Sequence, residues 1–155
     1  MRILFGEFPL SHNFPAKILL FGEYGIIKGS KGIAIPLNSK SGSLVQAGAV
    51  SEICQTLRLD EFYEYLNGSE LLSESMNLDL FKKDIDDGIY FKSNIPQGYG
   101  VGSSGALCAA IYSKYAVDFE RKTEYTVKEL KHLKDVMALM ESFYHGSSSG
   151  LDCLI

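Results

Sequence analysis

An α+β fold is what this sequence predicts, and three observations carry it. Short strand-like apolar runs broken by glycine and proline dominate the first part of the chain, and capped helix-like stretches dominate the last. No internal repeat and no series of strand–helix–strand units runs through it. At 155 residues the chain suits one domain with a real core.

The elements follow in order. Ile3 to Phe8 and Lys17 to Phe21 read as strands, separated by a loop that holds Pro9 and Pro15. Gly22, Gly25, Gly29 and Gly32 then punctuate Ile26-Ile27 and Ile33-Ala34-Ile35, the pattern of short strands joined by tight turns. Residues 38 to 51 are rich in serine and glycine. Asp60 to Leu66 and Ser73 to Lys83 read as helices, and Gly88 to Asn94 as a further strand. Ser104 to about Glu120 reads as a helix with a small-residue start: Gly105, Ala106, Ala109 and Ala110. Thr126 opens another helix with a capping box closed by Glu129. Its apolar positions, Leu130, Leu133, Met137, Met140 and Tyr144, recur at steps of three and four, and Gly146 ends it.

Composition removes several function classes. With 46% hydrophobic and 22% charged residues the chain reads as globular, and a net charge of −4 lacks the basic face of a nucleic-acid binder. Cys54, Cys108 and Cys153 are odd in number and far apart, which argues against a disulfide scaffold or a zinc site. Cys108, inside an alanine-rich stretch, reads as a small buried hydrophobe. No run reaches the ~18–20 apolar residues of a membrane span, and the N-terminus shows no secretory pattern. The expected partners therefore exclude nucleic acid and membrane, and the expected compartment is the cytoplasm.

The strongest local signal is Ile95-Pro-Gln-Gly98-Tyr-Gly100-Val-Gly102-Ser103-Ser104-Gly105-Ala-Leu107. Glycines let the backbone approach a ligand, and the first N–H groups of the following helix lack intrahelical partners. With the helix dipole they suit a phosphate, and the serine hydroxyls suit phosphate oxygens or Mg²⁺. Two other readings stay open at this point. Gly100-x-Gly102-x-x-Gly105 formally matches the dinucleotide fingerprint, with Glu120 at the right distance for a ribose, although residues 95–99 separate it from its strand. Alternatively, the segment is a loop with an N-capping serine.

Two carboxylates stand near the end. Glu141 lies beside the apolar stripe, either solvated at the core margin or held inward, and the residues alone favour the solvated face. Asp152 follows across Gly146-Ser-Ser-Ser-Gly150-Leu151, a loop able to fold back and bring the two together. One could then bind Mg²⁺ and the other a substrate hydroxyl. His145 at the helix end reads as a cap or polar contact; His12 and His132 read as loop and solvent-face residues.

Together these segments resemble the kinase superfamily of galactokinase, homoserine kinase, mevalonate kinase and phosphomevalonate kinase (GHMP kinases). Pro15-Ala-Lys17-Ile-Leu-Leu-Phe-Gly22-Glu23-Tyr24 is similar to the substrate-side motif, and residues 95–107 to the phosphate loop. Glu141-Ser-Phe-Tyr-His145-Gly-Ser-Ser-Ser149-Gly150-Leu-Asp152 most resembles the mevalonate kinase family. The resemblance implies a domain like the second domain of ribosomal protein S5, ATP and Mg²⁺ as cofactors, and a small-molecule alcohol as substrate. It implies Asp152 and Lys17 as catalytic residues, and Gly98, Gly100, Gly102, Ser103, Ser104 and Gly105 around the nucleotide. Ser104 and Glu141 fall at the metal, and Glu23, Tyr24 and His145 on the substrate side.

The departures are Ala16 for Gly, Val101 for Leu, Tyr24 for a substrate-facing His, Gly25 and Gly105 for Ala, and Ser147-Ser148 for Asn-Pro. Tyr24 keeps phosphomevalonate and sugar alcohols open as acceptors beside mevalonate. The stop at Ile155, just after Asp152, leads to the expectation that residues 1–155 are the N-terminal, ATP-binding domain alone. Without a second domain the fragment is expected to be inactive and prone to self-association. A nucleotide-binding module without catalysis is the alternative; an S5-like nucleic-acid binder is disfavoured by the acidity.

Overall fold

A computed structural model describes residues 13–22, 32–46, 58–117 and 124–154. Within them a three-stranded antiparallel sheet has the order β1 (Phe14–Phe21), β2 (Ile33–Gln46), β3 (Ile89–Ser93). The sheet is accompanied by five helices among the described residues: α1 (Leu59–Asn67), α2 (Glu70–Ser75), α3 (Leu78–Asp86), α4 (Ser103–Tyr115) and α5 (Val127–His145). A short 3₁₀ turn, Asp152–Leu154, ends the described chain. The architecture is α+β, as expected. The expected strands at Ile3–Phe8 and Ile26-Ile27 lie outside the described residues, as do Glu23, Tyr24, His12, Cys54 and Glu120.

The long β2 serves both neighbours in turn. Its first part pairs with β1, with Lys17 opposite Pro36 and Ile18 opposite Ile35. Its last part pairs with β3, from Gly42 opposite Ser93 to Gln46 opposite Ile89. Pro36, which cannot donate to a ladder, thus sits where β2 has no β3 residue beside it. The serine-rich stretch continues as strand through Gln46, and Gly42 leaves the space that the Phe91 ring occupies.

Helices α1 and α3 bury Leu59, Phe62 and Leu66, and Leu78 and Phe81, at helical spacing. The single helix expected over Ser73–Lys83 is broken in two. Met76 is extended and bridges Ala116, Asn77 N–H donates to Tyr115 C=O at 2.7 Å, and the Asn77 side chain caps α3 through Leu80 N–H at 3.0 Å. The same bridge ends α4 at Tyr115, short of Glu120, because Ala116 turns extended.

Helix α4 is apolar over most of its surface, burying Ala106, Leu107, Cys108, Ala110, Ile111, Tyr112 and Tyr115 and exposing Ser113 and Lys114. Such a helix must be covered on several sides, and it packs on β1, β2, α3, α5 and the 3₁₀ turn. Helix α5 starts at the expected capping box: Thr126 Oγ1 accepts from Glu129 N–H, and Glu129 Oε2 accepts from Thr126 N–H at 2.8 Å. Its stripe of Leu130, Leu133, Met137 and Met140 is buried, Tyr144 is half-buried, and Gly146 closes it. At the far end Phe62 packs on Phe143 at 5.2 Å, and Tyr65 OH donates to Leu139 C=O at 2.8 Å. These contacts fix where the last turn of α5, and with it Glu141, points.

Candidate functional site

The site begins where β3 ends. Asn94 and Ser41 exchange hydrogen bonds at 2.8 and 3.1 Å and pin the strand, while buried Ile95 anchors the start of the loop. Residues 96–101 then turn through solvent, with Gly98, Gly100 and Gly102 at φ of 79°, 69° and 79°. Only glycine takes these angles without strain. The N-cap of α4 is Gly102, with no side-chain cap bond, so the N-capping-serine reading does not hold. Ser103 and Ser104 lie inside the first turn, and both are half-buried. An antiparallel sheet around β3 also removes the parallel strand–helix context that the dinucleotide fingerprint needs. What remains is an uncapped, glycine-led N-terminus of a 13-residue helix, an environment suited to an anion.

Lys17 reaches this loop from β1. Its N–H donates to Val101 C=O at 2.9 Å, and its side chain runs over Gly102, where a Cβ would stand 2.8 Å from Lys17 Cγ. The ammonium ends 2.7 Å from Asp152 Oδ1, with the lysine side chain 7% exposed and the aspartate 33%. Asp152 is held from beneath by Gly105, whose missing Cβ would lie 2.9 Å from the Asp152 carbonyl carbon and oxygen. Gly105 is thus placed under the acid, inside α4, rather than on the open loop. Lys17, the glycine loop and Asp152 form one constellation.

Glu141 lies on the other side of the same helix start. It is 2% exposed, so the solvated-face expectation is corrected: α5 turns it inward toward α4. Ser104 Oγ donates to Glu141 Oε1 at 3.1 Å and lies 2.8 Å from His145 Nε2. One hydroxyl proton serves one acceptor, so with Glu141 taking it, Nε2–H of His145 donates to Ser104. The structure brings His145 onto Ser104; Glu23 and Tyr24, grouped with it from the sequence, lie outside the described residues. Sequence reading missed Ser148, whose hydroxyl donates to Glu141 Oε2. Its signal was the departure from the usual Asn-Pro.

The donor set fits Mg²⁺. Ligand distances of about 2.1 Å place adjacent oxygens of an octahedral ion about 3 Å apart, and Ser104 Oγ and Glu141 Oε1 are 3.1 Å apart. No group of three or more His, Cys, Asp or Glu residues suited to a metal occurs among the described residues. The remaining ligands would be phosphate oxygens and water, as Mg²⁺ prefers. Beneath the site, Cys108 and Cys153 are both free and buried, and the contact with Cys108, reinforced by burial, pushes the Cys153 thiol up.

Comparison with known proteins decides the family. Residues 62–155 match the family model described as the GHMP kinases N terminal domain. The chain belongs to the GHMP kinases. It is 29% identical to the mevalonate kinase of Thermococcus gammatolerans, over 89% of this chain and 46% of the relative. It is 28% identical, over the same shares, to the mevalonate kinases of Thermococcus sibiricus and Pyrococcus furiosus. The chain therefore spans about half the length of these curated relatives. No solved structure matches. No helix of the described residues is long and apolar enough to cross a membrane.

Proposed function

We propose that this chain supplies the nucleotide- and acceptor-handling residues of a kinase that moves the γ-phosphoryl group of ATP to the hydroxyl of a small alcohol, with mevalonate the first candidate. The observation that carries it is the 2.7 Å Lys17–Asp152 pair laid across Gly102 at the uncapped start of α4. A base, a cation and an anion-binding helix terminus there meet at one place. Backbone N–H groups of residues 100–104 hold the phosphates. Asp152 orients the acceptor hydroxyl and takes its proton as the phosphorus–oxygen bond forms. Lys17 pairs with Asp152 at 2.7 Å and offsets charge on the transferred group. Ser104 and Glu141 hold Mg²⁺, which when bound neutralises phosphate charge. Such a site works by placement more than by covalent chemistry. The α+β architecture is consistent with an S5 domain 2-like fold.

An acceptor other than mevalonate is favoured by one sequence feature, Tyr24 where mevalonate kinases carry a histidine. The test is a panel of alcohols with Mg²⁺ and ATP on the full-length gene product, read as ADP release and by phosphorus NMR of the product. Mevalonate is expected to be phosphorylated, and Asp152→Asn to lower the rate about 10²–10⁴-fold. Undiminished turnover in Asp152→Asn removes Asp152 as the base.

A further inference from the structure

The loop between α5 and the 3₁₀ turn holds a contact that the phosphoryl-transfer scheme leaves unused. Ser148, half-buried, donates its hydroxyl proton to Glu141 Oε2 and accepts the N–H of Gly150 at 3.1 Å. Glu141 Oε1 takes the hydroxyl of Ser104. Each oxygen of this buried carboxylate thus has its own serine. The two serines belong to different parts of the site. Ser104 opens the helix behind the phosphate loop, and Ser148 sits in the loop that delivers Asp152. That loop has little freedom: at Gly150 (φ 71°) a Cβ would collide with Lys134 C=O and stand 2.6 Å from Ala138 N on α5.

We propose that Ser148 is a positioning residue for the metal end of the site, an inference that rests on the phosphoryl-transfer reading. The terminal torsion of a glutamate is soft and roughly two-fold, so burial alone does not fix which way its oxygens point. Ser148 fixes it. Its acceptor side is engaged by Gly150 N–H, which aims its proton at Oε2 and leaves Oε1 facing Ser104. Ser104 and Glu141 would hold the metal of a Mg²⁺–nucleotide, and Ser148 would keep Oε2 in place meanwhile. Partners of this outer kind change metal affinity about 10–100-fold when removed.

Mn²⁺ in the presence of ADP is the probe, with free Mn²⁺ read by electron paramagnetic resonance on the full chain and each variant's unfolding midpoint measured in urea. The native chain is expected to bind Mn²⁺–ADP, and Ser148→Ala to raise the Mn²⁺ Kd about tenfold. Ser148→Thr, which keeps the hydroxyl, is expected to stay within about threefold of native. Ser147→Ala, at the exposed neighbouring position, is expected to leave the Kd unchanged. If Ser148→Ala does not fold, Ser148→Cys, a weak donor of similar size, takes its place with the same expectation. A lower unfolding midpoint with native Mn²⁺ affinity overturns the proposal, as does an equal loss in Ser147→Ala. Native binding with unaffected Ser148→Ala removes the positioning role alone. No Mn²⁺–ADP binding by the native chain overturns the phosphoryl-transfer reading with it.

Discussion

Removing one member of the Lys17–Asp152 pair should be far more damaging than removing the other. At 2.7 Å the gross attraction is about 6 kcal/mol for an effective dielectric near 20, but desolvation cancels much of it. The two partners are desolvated unequally, with side-chain exposures of 7% for Lys17 and 33% for Asp152. Asp152→Ala strands a buried ammonium. Such breaks cost about 3–5 kcal/mol when both partners are buried, and the partial exposure of Asp152 brings the expectation to about 2–3 kcal/mol. Lys17→Met keeps the aliphatic stem over Gly102 and leaves a carboxylate that water can reach, so its cost falls to about 0–1 kcal/mol. The double variant loses both charges and should lie within about 1 kcal/mol of native, giving a coupling of about 2 kcal/mol. Urea unfolding followed by far-ultraviolet circular dichroism measures all four corners. Additive effects, or a Lys17→Met cost equal to that of Asp152→Ala, would mean that Lys17 is hydrated and that the pair does not organise the site.

Gly102→Ala should destabilise the fold by about 1–2 kcal/mol through its φ of 79°, and should also displace the Lys17 stem that runs 2.8 Å from the new Cβ. ADP affinity by isothermal titration is expected to fall in parallel, and native affinity would refute the shared placement of loop and lysine. Asp84 is expected to set part of the acid limit of stability. The Lys114 ammonium first, then the Tyr115 hydroxyl, each at 2.7 Å, hold its carboxyl below the ordinary value of 3.8. The folded state favours the ionised form, so this contribution is complete above 3.8 and is lost as pH falls through the lower folded value. Urea midpoints measured from about pH 5 to about pH 2 should fall less steeply in Asp84→Asn than in the native chain.

Local patterns were legible where their causes are local. Thr126 and Glu129 announce the start of α5 because a capping box is closed by two residues three apart. The stripe from Leu130 to Met140 is likewise one helix face. The glycine loop was legible as the lead into a helix, but whether a serine caps that helix was not. That depends on whether the helix starts at Gly102 or one residue later. The break at Met76-Asn77 was hidden because its cause is the remote backbone of Tyr115 and Ala116. Glu141 was misjudged for the same reason. Periodicity places it at the stripe margin, and its partnerships with Ser104, 37 residues earlier, and with Ser148 turn the burial of a carboxylate into a stable arrangement. Gly105 shows the limit from the other side, since its lack of a Cβ has meaning only once Asp152 is known to lie against it.

Helix α4 explains why so many separate pieces meet in one place. A helix buried over most of its surface cannot shift without disturbing the sheet and α5 together, and each site element is tied close to its first turn. Lys17 is held through Val101 and Gly102, Asp152 through Gly105, and Glu141 through Ser104. The Lys17–Asp152 pair and both bonds to Glu141 are contacts of the chain with itself. Most of the ordering that binding would otherwise require is therefore already done by folding. The group left to reorient is the Ser104 hydroxyl, which donates to Glu141 while it accepts from His145. Turning one hydroxyl takes picoseconds to nanoseconds and moves no backbone. On the proposed reading, a ligand oxygen arriving at Ser104 would meet a carboxylate and a helix terminus already in their places.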